Sequence, residues 1–161
     1  MTQAGGHPRP GAAVAGVVGV LGDRVLDLDV PVRSDAVAAV RHAVVDHLAR
    51  RGVPATVVDD MELVTSELVT NAIVHARPTA GQAVVQISVE LSDTIELVVA
   101  NNGSVRAIPP VEEWHPAPPQ SPSRRGLGIV RRLCDTVTVE QSGERAVIRC
   151  RRRLPDRGAM P

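Results

Sequence analysis

Three polar side chains recur every four residues in an otherwise apolar stretch, SELVTNAIVHA at 66–76: Glu67, Asn71 and His75. On a helix, positions i and i+4 lie on one side, each displaced from the last by about 40°. A carboxylate, an amide and an imidazole then form one slanting stripe. Leu63, Val64, Leu68, Val69, Ala72, Ile73 and Val74 surround it, so the spacing predicts a helix that is apolar on most sides and largely buried. A buried carboxylate is costly unless it is paired or bound to a metal. Two kinds of partner would satisfy the stripe. An arginine could neutralise Glu67 while Asn71 caps a loop. Alternatively, a cation and a polar ligand could sit there, because Asn and Glu supply hard oxygens suited to Mg2+ and its water shell. The stripe alone leaves both open.

Two further stretches carry chemistry of the same kind. ELVVANNGS (96–104) is an alternating apolar run that ends in Asn101, Asn102 and Gly103. A polar residue at a strand end is placed to read the edge of a ligand, and glycine lets backbone come close. RRGLGIVRRL (124–133) sets Gly126, Leu127 and Gly128 at or just before the start of a helix, with Arg124 and Arg125 alongside. Backbone amides at a helix N-terminus bind phosphate, aided by the helix dipole. Each motif by itself is also an ordinary turn.

The elements that must position these residues follow from periodicity. RVLDLDV (24–30) alternates and reads as a strand. A helix follows, with Ser34 as its expected cap, and stops at Gly52; a second runs from Pro54 to just before Pro78. AVVQISVEL and TIELVVAN are strands separated by Ser92 and Asp93, which is hairpin spacing. Residues 103–123 contain six prolines, Trp114 and little periodicity. So long an irregular segment inside a domain is often functional. A short helix resumes near residue 124, and TVTVEQ and RAVIRCRRR form a last pair of strands around SGE. The order β, α, α, β, β, loop, α, β, β predicts a two-layer α/β sandwich with a mainly antiparallel mixed sheet and helices on one face. Residues 1–22 are expected to be a mobile arm or an irregular first strand, 23–154 the domain, and 155–161 a tail.

Composition narrows the classes. The 161 residues contain no Phe, no Tyr and one tryptophan, so the core must be aliphatic. All 18 basic residues are arginine, which excludes a lysine base, Schiff base or phosphate clamp. The same bias suggests a GC-rich bacterial genome. Net charge is zero, but residues 124–161 hold 10 arginines against 4 acids, which marks either an anion or partner surface or simply a solvated charged face. Neutral charge and the near absence of aromatics argue against nucleic-acid binding. Cys134 and Cys150 form no metal-ligand pattern with the histidines and read as free buried thiols of a cytoplasmic protein. No run is long enough to span a membrane.

ELVTNAIVH, VVANNG and RGLGIVRRL, in this order, resemble the N box and the two glycine boxes of the GHKL (histidine kinase-like) ATPase superfamily, which includes gyrase, histidine kinases and mismatch-repair ATPases. The resemblance spans residues 24–152. The two helices before the first hairpin and the ending GLGIVRRLCDTVTVE look most like one branch, the anti-sigma-factor serine/threonine kinases and stand-alone ATP-binding regulators of actinobacteria. The resemblance implies a Bergerat-type fold that takes ATP and Mg2+. It makes Asn71 the metal ligand and Glu67 the general base, taking a proton from a protein serine or from water. His75 would shape the phosphate side, Asn101 would read the adenine amino group, and Gly103 would let the base lie close to the backbone. Arg125 and the amides of Gly126, Leu127 and Gly128 would hold phosphates, and residues 104–124 would be the ATP lid. Two departures stand out. Asn101 replaces the aspartate usual in the family, which keeps one acceptor but exchanges the other for a donor. The second glycine expected soon after Gly103 is absent, and GSVRAIPP is proline-rich instead.

The function this implies is a protein serine/threonine kinase that doubles as an anti-sigma factor, binding a sigma factor and phosphorylating a small antagonist protein. Regulators of this branch often pair, so a homodimer is a further implication. Retention of Glu67 favours the kinase. The competing reading is a non-catalytic partner-switching adaptor with weak or no ATP binding, favoured by Asn101 and the unusual lid. A histidine-kinase fragment is poorly supported, because neither His42 nor His47 is followed by an acid.

Overall fold

The computed structural model describes residues 9–10, 16–77, 84–115 and 122–156, with side chains at 16–77, 84–115 and 126–156. Strands β1 (Arg9–Pro10), β2 (Val18–Leu21) and β3 (Val25–Pro31) lead into helices α1 (Ala36–Ala49) and α2 (Ala55–His75). The hairpin β4 (Val84–Leu91) and β5 (Thr94–Asn102) follows. Two short 3-10 turns (Val105–Ala107 and Val111–Glu113), helix α3 (Pro122–Leu133) and the hairpin β6 (Thr136–Ser142) and β7 (Arg145–Arg153) complete the described order. The strands form one sheet, ordered β1-β2-β3-β4-β5-β7-β6. Every described pairing is antiparallel, in line with the mainly antiparallel sheet expected. Strand β2, in the segment read as a mobile arm or irregular first strand, pairs with β1 and β3.

Alternation decides which face the helices cover. Leu26, Leu28 and Val30 of β3 are buried on the same face as Val85, Ile87 and Val89 of β4 and Ile95, Leu97 and Val99 of β5. Asp27, Asp29, Gln86 and Glu90 point the other way and are exposed. The core beneath the helices is aliphatic, with Val40, Val44 and Leu48 of α1 and Met61, Val64, Leu68 and Val69 of α2 fully or almost fully buried. Each such side chain contributes roughly 1.5–3 kcal/mol on burial.

Local chemistry sets the ends of these elements. Gly52, with φ +74, turns the chain out of α1, a conformation L side chains rarely adopt. The cap expected at Ser34 is not made. The N-cap residue is Asp35, which makes no side-chain cap, because its carboxylate is taken by Arg33. The tight turn of β6 and β7 uses Gly143 at φ +60.

The proline-rich segment is anchored over the part that is described. Trp114 is 3% exposed and packs in the core, its Nε1 donating to Pro109 O at 2.8 Å. Arg131 of α3 donates to Glu112 O at 2.9 Å, and Gln141 of β6 accepts from Val105 N at 3.0 Å. Residues 116–121 of the expected lid lie outside the described residues. Helix α3 begins at Pro122, earlier than the motif suggests, with proline at the first position where its missing N–H costs nothing.

Candidate functional site

Helix α2 carries the stripe, and its burial is graded. Glu67 and Asn71 are half-buried and His75 is exposed, while Leu68, Val69 and Ala72 of the same turns are buried. The expectation of a largely buried stripe is therefore corrected. The helix buries its aliphatic side against the sheet, and the polar stripe runs along the border of that contact.

Asn101 is the last residue but one of β5, beside the end of this helix. It is 6% exposed, and its Nδ2 donates to Ala72 O at 2.9 Å. Ala72 belongs to the last turn of α2, whose final four carbonyls have no partner within the helix. Just beyond, Arg77 N donates to Asn102 O at 2.7 Å, which ties the chain leaving α2 to the end of β5. Gly103 is buried in the same corner. A Cβ there would stand 3.2 Å from His75 O and 3.4 Å from Asn101 Oδ1, so a side chain would press on both.

Asn71, His75, Asn101 and Gly103 thus line one cleft, together with Ala72 and Ser104. Its free volume is about 10 Å3, room for a single water. The polar groups present suit a nucleotide base in kind. They comprise an amide whose oxygen takes no donor among the described residues, a glycine corner without a side chain and a neighbouring imidazole. A nucleotide base is larger than this space, so the cleft must widen to admit one.

Glu67 lies one turn away on α2, outside the cleft lining. Its neighbour is Gly126 of α3, where a Cβ would stand 2.8 Å from Glu67 Cδ and closer still to its Oε2. Any side chain at 126 would make the Glu67 carboxylate turn aside. Among the described residues no arginine pairs with Glu67, and the side chains of Arg124 and Arg125 lie outside the description. Gly126, Leu127 and Gly128 are buried and sit at the fifth to seventh positions of α3. Their amides therefore fall within the reach of i−4 carbonyls and are not the free N-terminal set that the motif suggested. The free set belongs to residues 123–125, since Pro122 has no N–H.

Among the described residues no group of three or more His, Cys, Asp or Glu could cage a metal. Mg2+ does not require one. It keeps several waters and is commonly held by one or two protein oxygens plus substrate phosphates. Glu67 and Asn71, half-buried one turn apart, fit that donor set. Sequence reasoning missed Ala72, whose contribution is a backbone carbonyl and leaves no trace in residue type. It also missed Gln141, a strand residue that clamps the chain just after Gly103 through Gly103 O and Val105 N.

Comparison with known proteins bears on the family and the fold. The model of the histidine kinase-like ATPase domain matches residues 30–152. An anti-sigma F factor of Bacillus licheniformis is 33% identical over 90 residues, covering 53% of this chain and 61% of that protein. The match thus spans about three fifths of that relative's length. Among solved structures, the RsbU and RsbW domains of a Mycobacterium tuberculosis protein superpose with a TM-score of 0.62 at 17% identity, over 81% of this chain and 32% of that one. The SiaB-SiaC complex of Pseudomonas aeruginosa gives 0.54 at 15% identity, over 80% and 90%. At these identities the structural likeness is one of fold.

Proposed function

The chain belongs to the histidine kinase-like ATPase domain family, and from that premise we infer that it binds ATP with Mg2+ and phosphorylates a serine or threonine of a partner protein in an anti-sigma switch. The observation that carries this reading is the convergence of Asn71, His75, Asn101 and Gly103 on one cleft, with Glu67 one helical turn away. The name of the 33% identical relative, an anti-sigma F factor, supports the choice of pathway. A sigma factor and an antagonist protein are the proposed partners, and the cytoplasm the proposed location.

Bound ATP would supply the transferable phosphoryl group and the adenine that locates it. The chain's own residues do the rest. Asn101 presents an acceptor to the amino edge of the base, and Gly103 leaves space for the ring. Asn71 offers an amide oxygen to Mg2+. Glu67 takes the proton of the attacking hydroxyl, a step that needs a carboxylate held within hydrogen-bond reach of the nucleophile. Phosphoryl transfer otherwise depends on positioning and on charge stabilisation. Here the amides at the start of α3 and Arg125 are the proposed phosphate holders. Amides 126–128 join them only if the first turns of α3 unwind.

A non-catalytic adaptor is the second reading, and the narrowness of the cleft favours it. Glu67→Gln separates the two. A kinase loses phosphotransfer to the antagonist by about 100-fold or more, the scale of general-base loss, while ATP binding by calorimetry stays within a few-fold. Equal behaviour of both proteins in transfer and in partner binding would leave the adaptor standing.

A further inference from the structure

Cys134 and Cys150 are the chain's only cysteines, and the fold brings them together. Cys134 follows the last residue of α3, its N donating to Val130 O at 3.1 Å. Cys150 lies on the helix-facing side of β7, between Leu97 of β5 and Val137 of β6. Three hydrogen bonds hold the chain beside one cysteine to the chain beside the other. Asp135 N donates to Arg151 O at 2.8 Å, Arg153 N to Asp135 Oδ2 at 2.6 Å, and Arg152 Nη1 to Leu133 O at 3.0 Å. Both side chains enter the same core cluster, where one thiol hydrogen-bonds the other. That hydrogen bond, followed by burial and the charge of Cys134, pushes the Cys150 thiol above its ordinary value. Cys150 is fully buried and Cys134 is 9% exposed. Cys150 therefore keeps its proton, and Cys134 is the sulfur that a small oxidant reaches first.

A lone buried cysteine acts as a small apolar side chain, but two in contact can do what no other pair can. We propose that Cys134 and Cys150 form a modification site, a dithiol that a small hydroperoxide converts into an intramolecular disulfide stapling the end of α3 to β7. With hydrogen peroxide, the Cys134 sulfur attacks one oxygen and the O–O bond breaks. The other oxygen leaves with the Cys134 proton as water, and Cys134 becomes a sulfenic acid. The Cys150 sulfur then displaces the hydroxyl, which leaves with the Cys150 proton as a second water while the S–S bond forms. Two thiols together lose two electrons, and one peroxide is reduced to two waters. The bond closes the loop that contains β6, which removes freedom from the unfolded chain and so stabilises the fold. The staple does not depend on the nucleotide-binding function proposed above.

The test exposes the folded full chain to hydrogen peroxide, alkylates the remaining thiols under denaturing conditions and weighs the intact product. The wild type is expected to lose the mass of two hydrogen atoms and both alkylation sites, to form no covalent dimer, and to recover both thiols with dithiothreitol. The oxidised form should melt about 5 °C or more above the reduced form. Cys150→Ala should stop at a sulfenic acid on Cys134, trapped by dimedone, and Cys134→Ala should leave the Cys150 thiol unreacted at the same exposure. Survival of both thiols in the wild type overturns the site, as does a disulfide between two chains. Oxidation of Cys134 to a sulfinic acid with Cys150 still open to alkylation also overturns it, and so does an oxidised form that melts below the reduced one. If an alanine variant does not fold, the wild-type mass and melting results decide by themselves.

Discussion

His47 shows how one side chain outside the site can dominate the acid behaviour of the fold. It is 2% exposed in α1, and neither ring nitrogen has a hydrogen-bond partner among the described residues. Burial pushes its pKa down to about 4, and the nearby Arg51 guanidinium pushes the same way. The unfolded chain therefore binds a proton at this residue below its ordinary value near 6.5, while the folded chain does so only near 4. Stability is complete above that upper value and falls as pH drops through the window, by up to about 3 kcal/mol. Glu96 acts in a separate, more acidic range. Burial alone would raise its pKa, but hydrogen bonds and charge from Arg151 and Arg149 outweigh burial and hold it below the usual carboxylate value. Urea unfolding of wild type and His47→Leu across this range should show a slope in the first and a nearly flat line in the second. A shared slope would mean that His47 is not neutral and buried in the folded protein.

Between elements, the decisive contact is that of α3 with α2. Gly126 is a helix-interior glycine, and replacing such a residue by alanine ordinarily gains about 1 kcal/mol. Here the added methyl would meet the Glu67 carboxylate and force that side chain off its seat. Gly126→Ala is therefore expected to gain less in the wild type than in a Glu67→Ala background, where it stabilises by about 0.5–1 kcal/mol. Denaturant titration of the four proteins in the cycle measures this, and strictly additive effects would show that the two helices do not meet here. The motif RGLG signalled glycines and a helix but not their order. Periodicity sees apolar spacing, and Pro122 extends the helix upstream of the arginines without altering that spacing. Trp114 was likewise visible as the only tryptophan, yet no pattern in a proline-rich segment says that it is a buried anchor held by Pro109 and followed by an arginine clamp from α3.

At the scale of the molecule, the layers were legible because alternation in β3, β4, β5 and β7 and the helical spacing of α1 and α2 agree with one another. The stripe of Glu67, Asn71 and His75 was legible for the same reason, since i and i+4 spacing places residues on one side whatever they do. The arginine excess near the C-terminus was ambiguous in sequence. In the fold much of it is spent on cross-strand and strand-to-helix partners, with Arg149 and Arg151 on Glu96 and Arg152 on Asp60 at 2.9 Å. Those pairings join α2 to β7 and β7 to β5. The cleft between α2 and the end of β5 must widen before a nucleotide enters, and binding then links to the stability of the whole domain. With ATP and Mg2+ at about 100 times the dissociation constant, the folded state gains about 2.7 kcal/mol, which for a chain of this size raises the melting temperature by roughly 5–10 °C. Thermal scans should show that rise in the wild type and lose it in Asn71→Ala at the same concentrations. A rise that survives in Asn71→Ala would place the nucleotide away from α2, and with it the assignment of the stripe that ends at His75.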